Sequence, residues 1–372
     1  MRKRGPWELG LVAATVILLV LGFACRAEPA APSQPPNPAG SQAAAAPSGA
    51  APGKAASSVP AVASSPVALQ KLRASYSGIQ MVQAPAWMAL EGGYFREQGL
   101  DVDLTLINSG ATLLAALQNG DVELAGTGGS TLLLGHVQGL GTVLVGAPVK
   151  LLDFSVFTRP EIRTLDDLHG KTIGVTRLKS TTDAGTRFAL QRLGFQPDVD
   201  VFTRGTGGQS ESLAAMETGA IDGATMGMPV QVEARRRGYN ELIKINDQGI
   251  RIPFINGAIG TTRRVTEQRP DALDAAMRAL AQGVARFQRD REFAIQVTAK
   301  YTQLDDREAV EASVDYYQPL LEADLYPDRE AMQVVIDAEE SPAARAAKPE
   351  DVTDYHFAER LRTSGFLDQL AR

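Results

Sequence analysis

The sequence predicts a two-lobed α/β fold, with a mostly parallel β-sheet flanked by helices in each lobe and a helical C-terminal segment packed on the first lobe. Three observations lead to this prediction. Strand-like and helix-like patterns alternate from residue 71 to residue 245. The segment 114–125 recurs at 213–224, an offset of 213 − 114 = 99 residues. Beyond Thr266 the patterns are almost wholly helical, so the end of the chain must pack on an existing lobe.

Each copy of the repeat is predicted to be a short helix that ends at a glycine, Gly120 or Gly219, before a buried strand and a Gly-rich turn. Glycine suits the end of a helix because it adopts the left-handed conformation at least cost. Gly128 and Gly227 continue the repeat at the same offset. Two copies in a solenoid would need further neighbours, so corresponding parts of two lobes fit the chain length better.

The predicted elements follow one another in chain order. In the first lobe the predicted strands are 71–77, 100–107, 122–125 and 141–146, and the predicted helices are 86–91, 110–118 and 131–137. In the second lobe the predicted strands are 172–176, 198–203, 221–225 and 241–245, and the predicted helices are 182–193, 211–218 and 230–237. The predicted C-terminal helices are 270–289, 291–300, 307–317, 329–338 and 355–362.

The N-terminus has the pattern of an export signal. Met1–Arg4 is basic, Leu9–Ala24 is apolar, and the only cysteine, Cys25, follows the small residue Ala24. We predict a signal peptide over residues 1–25 that ends in a lipobox-like motif, with Cys25 as the lipidated residue. A bulky Phe23 departs from the usual lipobox. An ordinary signal peptide cut near residue 27, or an uncleaved anchor, remains an alternative.

A spacer is predicted to join this leader to the folded body. Residues 28–66 are almost entirely Ala, Pro, Ser, Gly, Gln and Asn, without aromatic residues or apolar periodicity. Such a composition buries too little apolar surface to offset the entropy of ordering. We therefore predict a disordered linker over 26–66 and a folded body from Val67 onward.

Composition excludes several functional classes. The net charge is −6 and the isoelectric point is near 5.3, with no basic cluster outside the leader, which argues against nucleic-acid binding. The three histidines, His136, His169 and His356, form no ligand-spaced pair, and no nucleophile-elbow motif is present. A single cysteine leaves no disulfide within the chain. We expect no metal, no cofactor and no enzymatic activity.

Five segments in order resemble the type II periplasmic binding proteins that supply ABC importers, in particular the SsuA/THI5-like (NMT1) group of sulfonate, nitrate, taurine and thiamine-precursor proteins. The segments that carry the resemblance are Ala89–Val102, Ser109–Ala111, Gly120–Glu123, Thr164–Val175 and Gly219–Ala224. No single segment is diagnostic, whereas their order and spacing together are specific. The resemblance covers about residues 71–287.

The resemblance implies a type II periplasmic-binding-protein fold, in which the second lobe is inserted into the first. The domains are then expected at 67–155 for the first part of lobe 1, 156–254 for lobe 2, and 255–372 for the return to lobe 1 and the C-terminal helices. The segments near Leu152–Thr158 and Ile252–Gly260 are expected to be the two hinge crossings.

Ligands of open α/β sheets bind beyond the C-terminal ends of the strands, where loops lead into helix N-termini. Free N–H groups and the helix dipole at such ends favour acceptors and anions. The candidate ligand contacts there are Gln80, Gly110, Ala111, Thr112, Gly128, Gly129, Ser130, Thr131, Ser180, Thr181, Thr182, Asp183 and Gly208. The alternative for any one loop is helix capping alone, because Ser and Thr are common N-caps.

Four further side chains are candidates. Trp87 could line the cavity with its indole or simply anchor the first helix to the core. Met228 occupies the position of the Gly128–Ser130 turn in the second copy and would make that wall apolar, which favours an organic ligand over a small inorganic anion. Arg177 and Lys179 could neutralise an anion, although solvated surface is the more common role for either residue taken singly.

The resemblance therefore implies a monomeric, exported solute receptor, held at the periplasmic or cell-surface side of a membrane by a lipid anchor. It would capture a small organic solute, such as a sulfonate, taurine or a thiamine-precursor-like molecule, and deliver it to an ABC permease and its ATPase. A ligand sensor for a membrane signalling partner shares these features. A THI5-like pyrimidine-synthesis enzyme is the other alternative, but the cysteine-rich iron-binding segment of those enzymes has no counterpart here.

Overall fold

The computed structural model describes residues 68–245, 252–339 and 341–371. The predicted leader, Cys25 and the predicted spacer lie outside the described residues. The strands are β1 Gln70–Tyr76, β2 Leu100–Leu106, β3 Leu124–Thr127, β4 Thr142–Leu151, β5 Ser155–Thr158, β6 Lys171–Val175, β7 Val201–Gly205, β8 Gly223–Met226, β9 Asn240–Lys244 and β10 Pro253–Thr262.

The helices lie between and after these strands. They are α1 Ala84–Glu91, α2 Tyr94–Glu97, α3 Gly110–Asn119, α4 Gly129–Val137, α5 Thr181–Arg192, α6 Gln209–Glu217, α7 Val230–Arg236, α8 Arg263–Gln268, α9 Pro270–Arg289, α10 Arg291–Thr302, α11 Arg307–Tyr317, α12 Arg329–Asp337, α13 Pro342–Arg345, α14 Pro349–Val352, α15 His356–Thr363 and α16 Phe366–Leu370. No helix in the described part of the chain is long and apolar enough to cross a membrane.

The strands form two five-stranded sheets of matching topology. The orders are β2-β1-β3-β10-β4 and β7-β6-β8-β5-β9. In each sheet the fourth strand in this order runs antiparallel to the other four. The prediction of two mostly parallel sheets flanked by helices is confirmed. We call each sheet with its flanking helices a lobe.

The internal repeat corresponds to equivalent elements of the two sheets. Adding 99 to the bounds of β3, 124 and 127, gives 223 and 226, which are the bounds of β8. Likewise α3 begins at Gly110 and α6 begins at Gln209, where 110 + 99 = 209. The repeated sequence therefore encodes a helix–strand unit that occupies the same position in both lobes.

The antiparallel strands β5 and β10 lie within the segments expected to be the two hinge crossings, Leu152–Thr158 and Ile252–Gly260, where no strand was predicted. The chain crosses from the first sheet to the second over Leu152–Phe154, and β5 begins directly afterwards. β10 returns to the middle of the first sheet and pairs with both β3 and β4. Nearly all residues of both strands are buried, so they lack the polar alternation that marks a half-exposed strand.

The C-terminal helices pack mainly on the first lobe, as predicted. α9 lies against α1, where Gly283 allows close approach: a Cβ there would be 2.6 Å from the Pro85 carbonyl oxygen. α12 packs on β10, and α15 packs on α9 and β4. By contrast, α11 also contacts α7 of the second lobe. The C-terminal segment thus extends across to the second lobe at α11.

One buried apolar cluster continues through the crossing between the sheets. It joins Leu132 and Leu144 of the first lobe to Leu152 in the crossing and to Val156 and Ile173 of the second lobe. Burial of apolar side chains on both sides stabilises the crossing. The chain between the lobes is therefore held at a defined place.

Candidate functional site

Loops at the C-terminal ends of strands from both sheets meet in one crevice. Gly128, after β3, lies against the side chain of Thr181, after β6. Arg177, also after β6, donates a hydrogen bond to the backbone carbonyl of Asn108, after β2. In the described structure the two lobes are therefore in contact along this crevice.

The N-terminus of α4 is the most enclosed part of the predicted site. Gly128, Gly129 and Ser130 are all buried, and Gly129 lies close to Ile255 of β10. The Ser130 side chain is fully buried, and its Oγ has no hydrogen-bond partner among the described residues. A buried hydroxyl without a partner loses the hydrogen bonds that water would give it. A ligand group at this position would supply the missing partner.

The corresponding loop of the second lobe is internally satisfied. Ser180 caps α5 by accepting from the Asp183 amide, and its hydroxyl and that of Thr182 lie 2.8 Å apart. Thr182 also lies 2.7 Å from the Thr176 hydroxyl. The Asp183 carboxylate accepts from the Lys179 amide at 2.7 Å and from Arg187 at 3.0 Å. Capping and packing therefore account for the contacts of Ser180, Thr182 and Asp183.

The N-terminus of α3 lies at the outer edge of the crevice. Ala111 and Thr112 are exposed, Gly110 is half-buried, and Ser109 caps the helix by accepting from the Thr112 amide. A Cβ on Gly110 would be 3.7 Å from the Thr131 side chain, so this loop lies next to the start of α4.

Two other predicted contacts are half-buried. The Gln80 side chain lies near Gly78. A Cβ on Gly78 would be 3.8 Å from Gln80 Cδ and 3.9 Å from Asn108 Oδ1. The Gly208 carbonyl accepts hydrogen bonds from Thr206 at 3.1 Å and from Ser212 at 2.9 Å. Gln80 and Gly208 therefore lie in loops of different lobes.

Trp87 is buried within an aromatic cluster. Its ring stacks on Tyr301 with centroids 5.0 Å apart and meets Tyr76 edge-on at 5.8 Å. The indole N–H has no partner among the side chains and backbone groups that the structure describes. Met228, from the second lobe, belongs to the same buried apolar cluster. Trp87 thus anchors α1 in the core of the first lobe.

Asp153, in the crossing between the sheets, is a site residue that sequence reasoning missed. Its side chain is fully buried, Oδ1 accepts a hydrogen bond from the Asn256 amide, and Oδ2 has no partner in the described part of the chain. Burial raises the pKa of this carboxyl to about 7, against the lowering effect of its hydrogen bonds. The available signal was one carboxylate inside the apolar run of residues 151–157.

Gln209, at the start of α6, is the second residue that sequence reasoning missed. Its Oε1 accepts from the Gly227 amide at 2.8 Å, and its buried Nε2 has no partner within the described residues. A Cβ on Gly227 would be 3.7 Å from this Nε2 and 3.4 Å from the Phe154 ring. Gln209 therefore lies beside the residue that follows Asp153.

Two ion pairs of Arg236 join the lobes beside the crevice. Arg236 of α7 pairs with Asp306 and, at 2.7 Å, with Glu308, both at the start of α11. The groups are partly exposed, so each pair is worth less than about 1 kcal/mol. Because α7 and α11 belong to different lobes, these pairs form only when the lobes are close together.

A separate cavity of about 450 Å³ lies between α4 and α5. Its wall is mainly apolar and includes Leu133, Leu134 and Ala344. Its charged residues are Lys179, Asp183, Arg187 and Glu339, of which Asp183 and Arg187 pair with each other. No group of three or more His, Cys, Asp or Glu side chains placed to hold a metal occurs within the described residues.

Comparison with known proteins gives a consistent set of relatives. A family model described as "NMT1/THI5 like" matches residues 80–292, more than half of the chain. The riboflavin-binding protein RibY of Chloroflexus aurantiacus is 25% identical over 292 residues, which cover 75% of this chain and 81% of that protein.

Solved structures share the fold at low sequence identity. The periplasmic aliphatic sulphonate-binding protein SsuA of Escherichia coli is 19% identical with a TM-score of 0.57, covering 66% of this chain and 83% of its own. The periplasmic nitrate-binding protein NrtA of Synechocystis is 13% identical with a TM-score of 0.65, covering 81% of this chain and 91% of its own.

Proposed function

Because the chain belongs to the NMT1/THI5-like family, we propose that it is an extracytoplasmic receptor that captures a small organic solute between its lobes. The observations that carry the proposal are the contact between the lobes at Gly128 and Thr181 and the buried polar atoms without a partner in the described chain, of which Ser130 Oγ lies beside that contact. Buried polar groups are normally hydrogen-bonded. A solute in the crevice would complete these hydrogen bonds.

Capture would proceed by closure of the lobes around the solute. The Gly128–Thr181 contact and the Arg236 ion pairs belong to the closed arrangement, since each joins one lobe to the other. A solute that contacts both lobes binds the closed state more tightly and shifts the population toward it. The closed receptor would then deliver the solute to an ABC permease and its ATPase. No catalytic step is part of this proposal.

The proposed solute is organic. Met228, after β8, is a buried apolar residue at a predicted ligand position, and an apolar wall suits a ring or alkyl chain better than a small inorganic anion. The relative RibY is named for riboflavin, while sulfonates, taurine and thiamine precursors remain in the predicted range. Riboflavin, thiamine, taurine, ethanesulfonate and nitrate therefore form a suitable set of test compounds.

We expect at least one organic compound of this set to raise the melting temperature of the protein, because a ligand that binds only the folded state stabilises it. Ser130→Ala should weaken binding of that compound by roughly 10-fold, the worth of about one hydrogen bond, and leave the ligand-free stability unchanged. Thr181→Ala should weaken it in the same direction. Thermal-shift screening followed by calorimetry measures both effects.

Thr262→Val is the matched control, since Thr262 Oγ1 is also buried without a partner within the described chain, at the opposite end of β10 from Asn256. Its affinity should equal that of the wild type. Wild-type affinity in both Ser130→Ala and Thr181→Ala would contradict the proposed site. Turnover of the bound compound would contradict a receptor without catalysis.

The location of the receptor is part of the proposal. Cys25 would carry a lipid that holds the protein at the outer side of a membrane, with residues 26–66 as a spacer. We expect a radiolabelled fatty-acid precursor to label the wild-type protein in cells and not Cys25→Ser. Label that persists in Cys25→Ser, or a wild-type protein without label, would contradict lipidation at this residue.

A further inference from the structure

The four buried atoms of Trp87, Ser130, Asp153 and Gln209 that lack a partner in the described chain have unequal chemistry. The indole N–H of Trp87 and the Gln209 amide nitrogen can only donate, and the Ser130 hydroxyl can donate or accept. Asp153 Oδ2, when ionised, can only accept. Trp87 and Gln209 therefore lack an acceptor, whereas the ionised Asp153 Oδ2 lacks a donor.

Asp153 has contacts from both lobes. Gln231 Nε2 of the second lobe donates to the Asp153 backbone carbonyl at 3.4 Å and to the Met226 carbonyl at 2.8 Å. Asn256 of β10, in the first sheet, donates to the Asp153 carboxylate. Side chains alternate along a strand, so Asn256 and the carboxylate lie on the face of β10 opposite to Ile255, which packs against Gly129. Asp153 thus lies at the junction of the two lobes.

We infer that Asp153 is the specificity-determining residue for a solute that bears an N–H donor, so that the receptor takes amines or ring N–H compounds in preference to bare oxyanions. The inference rests on the proposed receptor function and names the chemical class of its solute. Asp153 Oδ2 would accept the solute's N–H, and Gln209 Nε2, which lies near Phe154, would donate to an oxygen or ring-nitrogen atom of the solute.

Electrostatics supports this assignment. None of the described side chains that contact Asp153 carries a positive charge, so the ionised carboxylate has no cation to compensate its burial. An oxyanion placed beside it would add a second negative charge in a buried site and would be repelled. An ammonium or a polarised N–H group would be attracted.

Taurine and ethanesulfonate test the inference, because they differ only by the ammonium group. Binding of taurine, ethanesulfonate, riboflavin and nitrate to the full chain is measured by calorimetry at pH 8, where Asp153 is mainly ionised. We expect taurine or riboflavin to bind and ethanesulfonate and nitrate to bind at least 10-fold more weakly. Asp153→Asn presents an amide N–H in place of the acceptor, so it should weaken binding of the N–H compound by about 10- to 100-fold.

Glu123→Gln is the matched control, because Glu123 is also a buried carboxylate but its partners are Arg73 and Arg269 of the first lobe. Its affinity should stay within 2-fold of the wild type. Ethanesulfonate or nitrate bound as tightly as taurine, or an unchanged affinity in Asp153→Asn, would overturn this inference and leave the receptor function standing. Failure of every compound of the set to bind would overturn both.

Discussion

The stability of ligand-free Asp153→Asn relative to wild type is expected to increase as the pH rises, although the same substitution is expected to weaken binding. Burial raises the pKa of the Asp153 carboxyl to about 7 from its usual 3.8. The folded protein therefore holds this proton where the unfolded chain releases it. Three pKa units correspond to about 4 kcal/mol as an upper limit, since each unit is worth about 1.4 kcal/mol.

The direction of this pH dependence follows from the number of protons that the folded and unfolded states bind at Asp153. Between about pH 4 and pH 7 the folded wild type binds more protons at Asp153 than the unfolded chain, so its stability falls as the pH rises through this range. Asparagine does not titrate and avoids this loss. The free energy of unfolding of Asp153→Asn, relative to wild type, should therefore increase by up to about 4 kcal/mol from pH 4 to pH 8.

Urea denaturation of both proteins at pH 4, 6 and 8 measures this difference. Glu123→Gln is the contrasting variant: burial raises the pKa of Glu123, but hydrogen bonds and charge from Arg269 and Arg73 outweigh burial and lower it. The stability of Glu123→Gln relative to wild type should fall as the pH rises toward about 4.5, the usual pKa of this carboxyl, and should change little from there to pH 8, where Glu123 is ionised in both states. A relative stability of Asp153→Asn that is flat with pH would show that the buried carboxyl is not held protonated.

Gly128→Ala is expected to prevent full closure of the lobes without disturbing the fold. Gly128 has extended backbone angles, φ −101° and ψ 156°, which alanine adopts without strain. An added methyl group would overlap the Thr181 hydroxyl of the other lobe and lie 2.9 Å from the Thr181 Cβ. Overpacking of about 1–3 kcal/mol in the closed state alone weakens solute binding by roughly 10- to 100-fold.

Calorimetry with the bound compound and the radius of gyration from small-angle X-ray scattering measure affinity and closure. The neighbouring variant Gly129→Ala is the control, because a Cβ there would lie 2.9 Å from the Ile255 backbone oxygen within the same lobe. It should lower the melting temperature and leave closure intact. Wild-type affinity in Gly128→Ala would mean that the Gly128–Thr181 contact does not belong to the solute-bound state.

Local sequence signals predicted much of the fold. Helices α9 and α11 have the predicted bounds, since an amphipathic pattern with a clear start identifies a helix. The glycine-ended repeat identified the units α3–β3 and α6–β8. The strands β5 and β10 were missed because burial on both faces removes alternation, and their central position depends on partners far away in the chain.

The candidate site was predicted less completely. Ser130 and Trp87 were named from their loops, and the structure gives both a buried polar atom without a partner in the described chain. Ser180 and Asp183 were named for the same local reasons, yet their contacts are those of a helix cap. Asp153 and Gln209 were missed because burial without a partner is a property of the tertiary structure.

The central position of β10 determines the order in which the protein can assemble. β4 pairs only with β10 among the described strands, and β10 begins 253 − 151 = 102 positions after the end of β4, with the whole second sheet in between. An emerging chain therefore cannot complete its first sheet until the second has been synthesised. For a chain that is proposed to be exported, this order delays completion of the first sheet, and a chain whose folding is incomplete is easier to thread through a translocation channel.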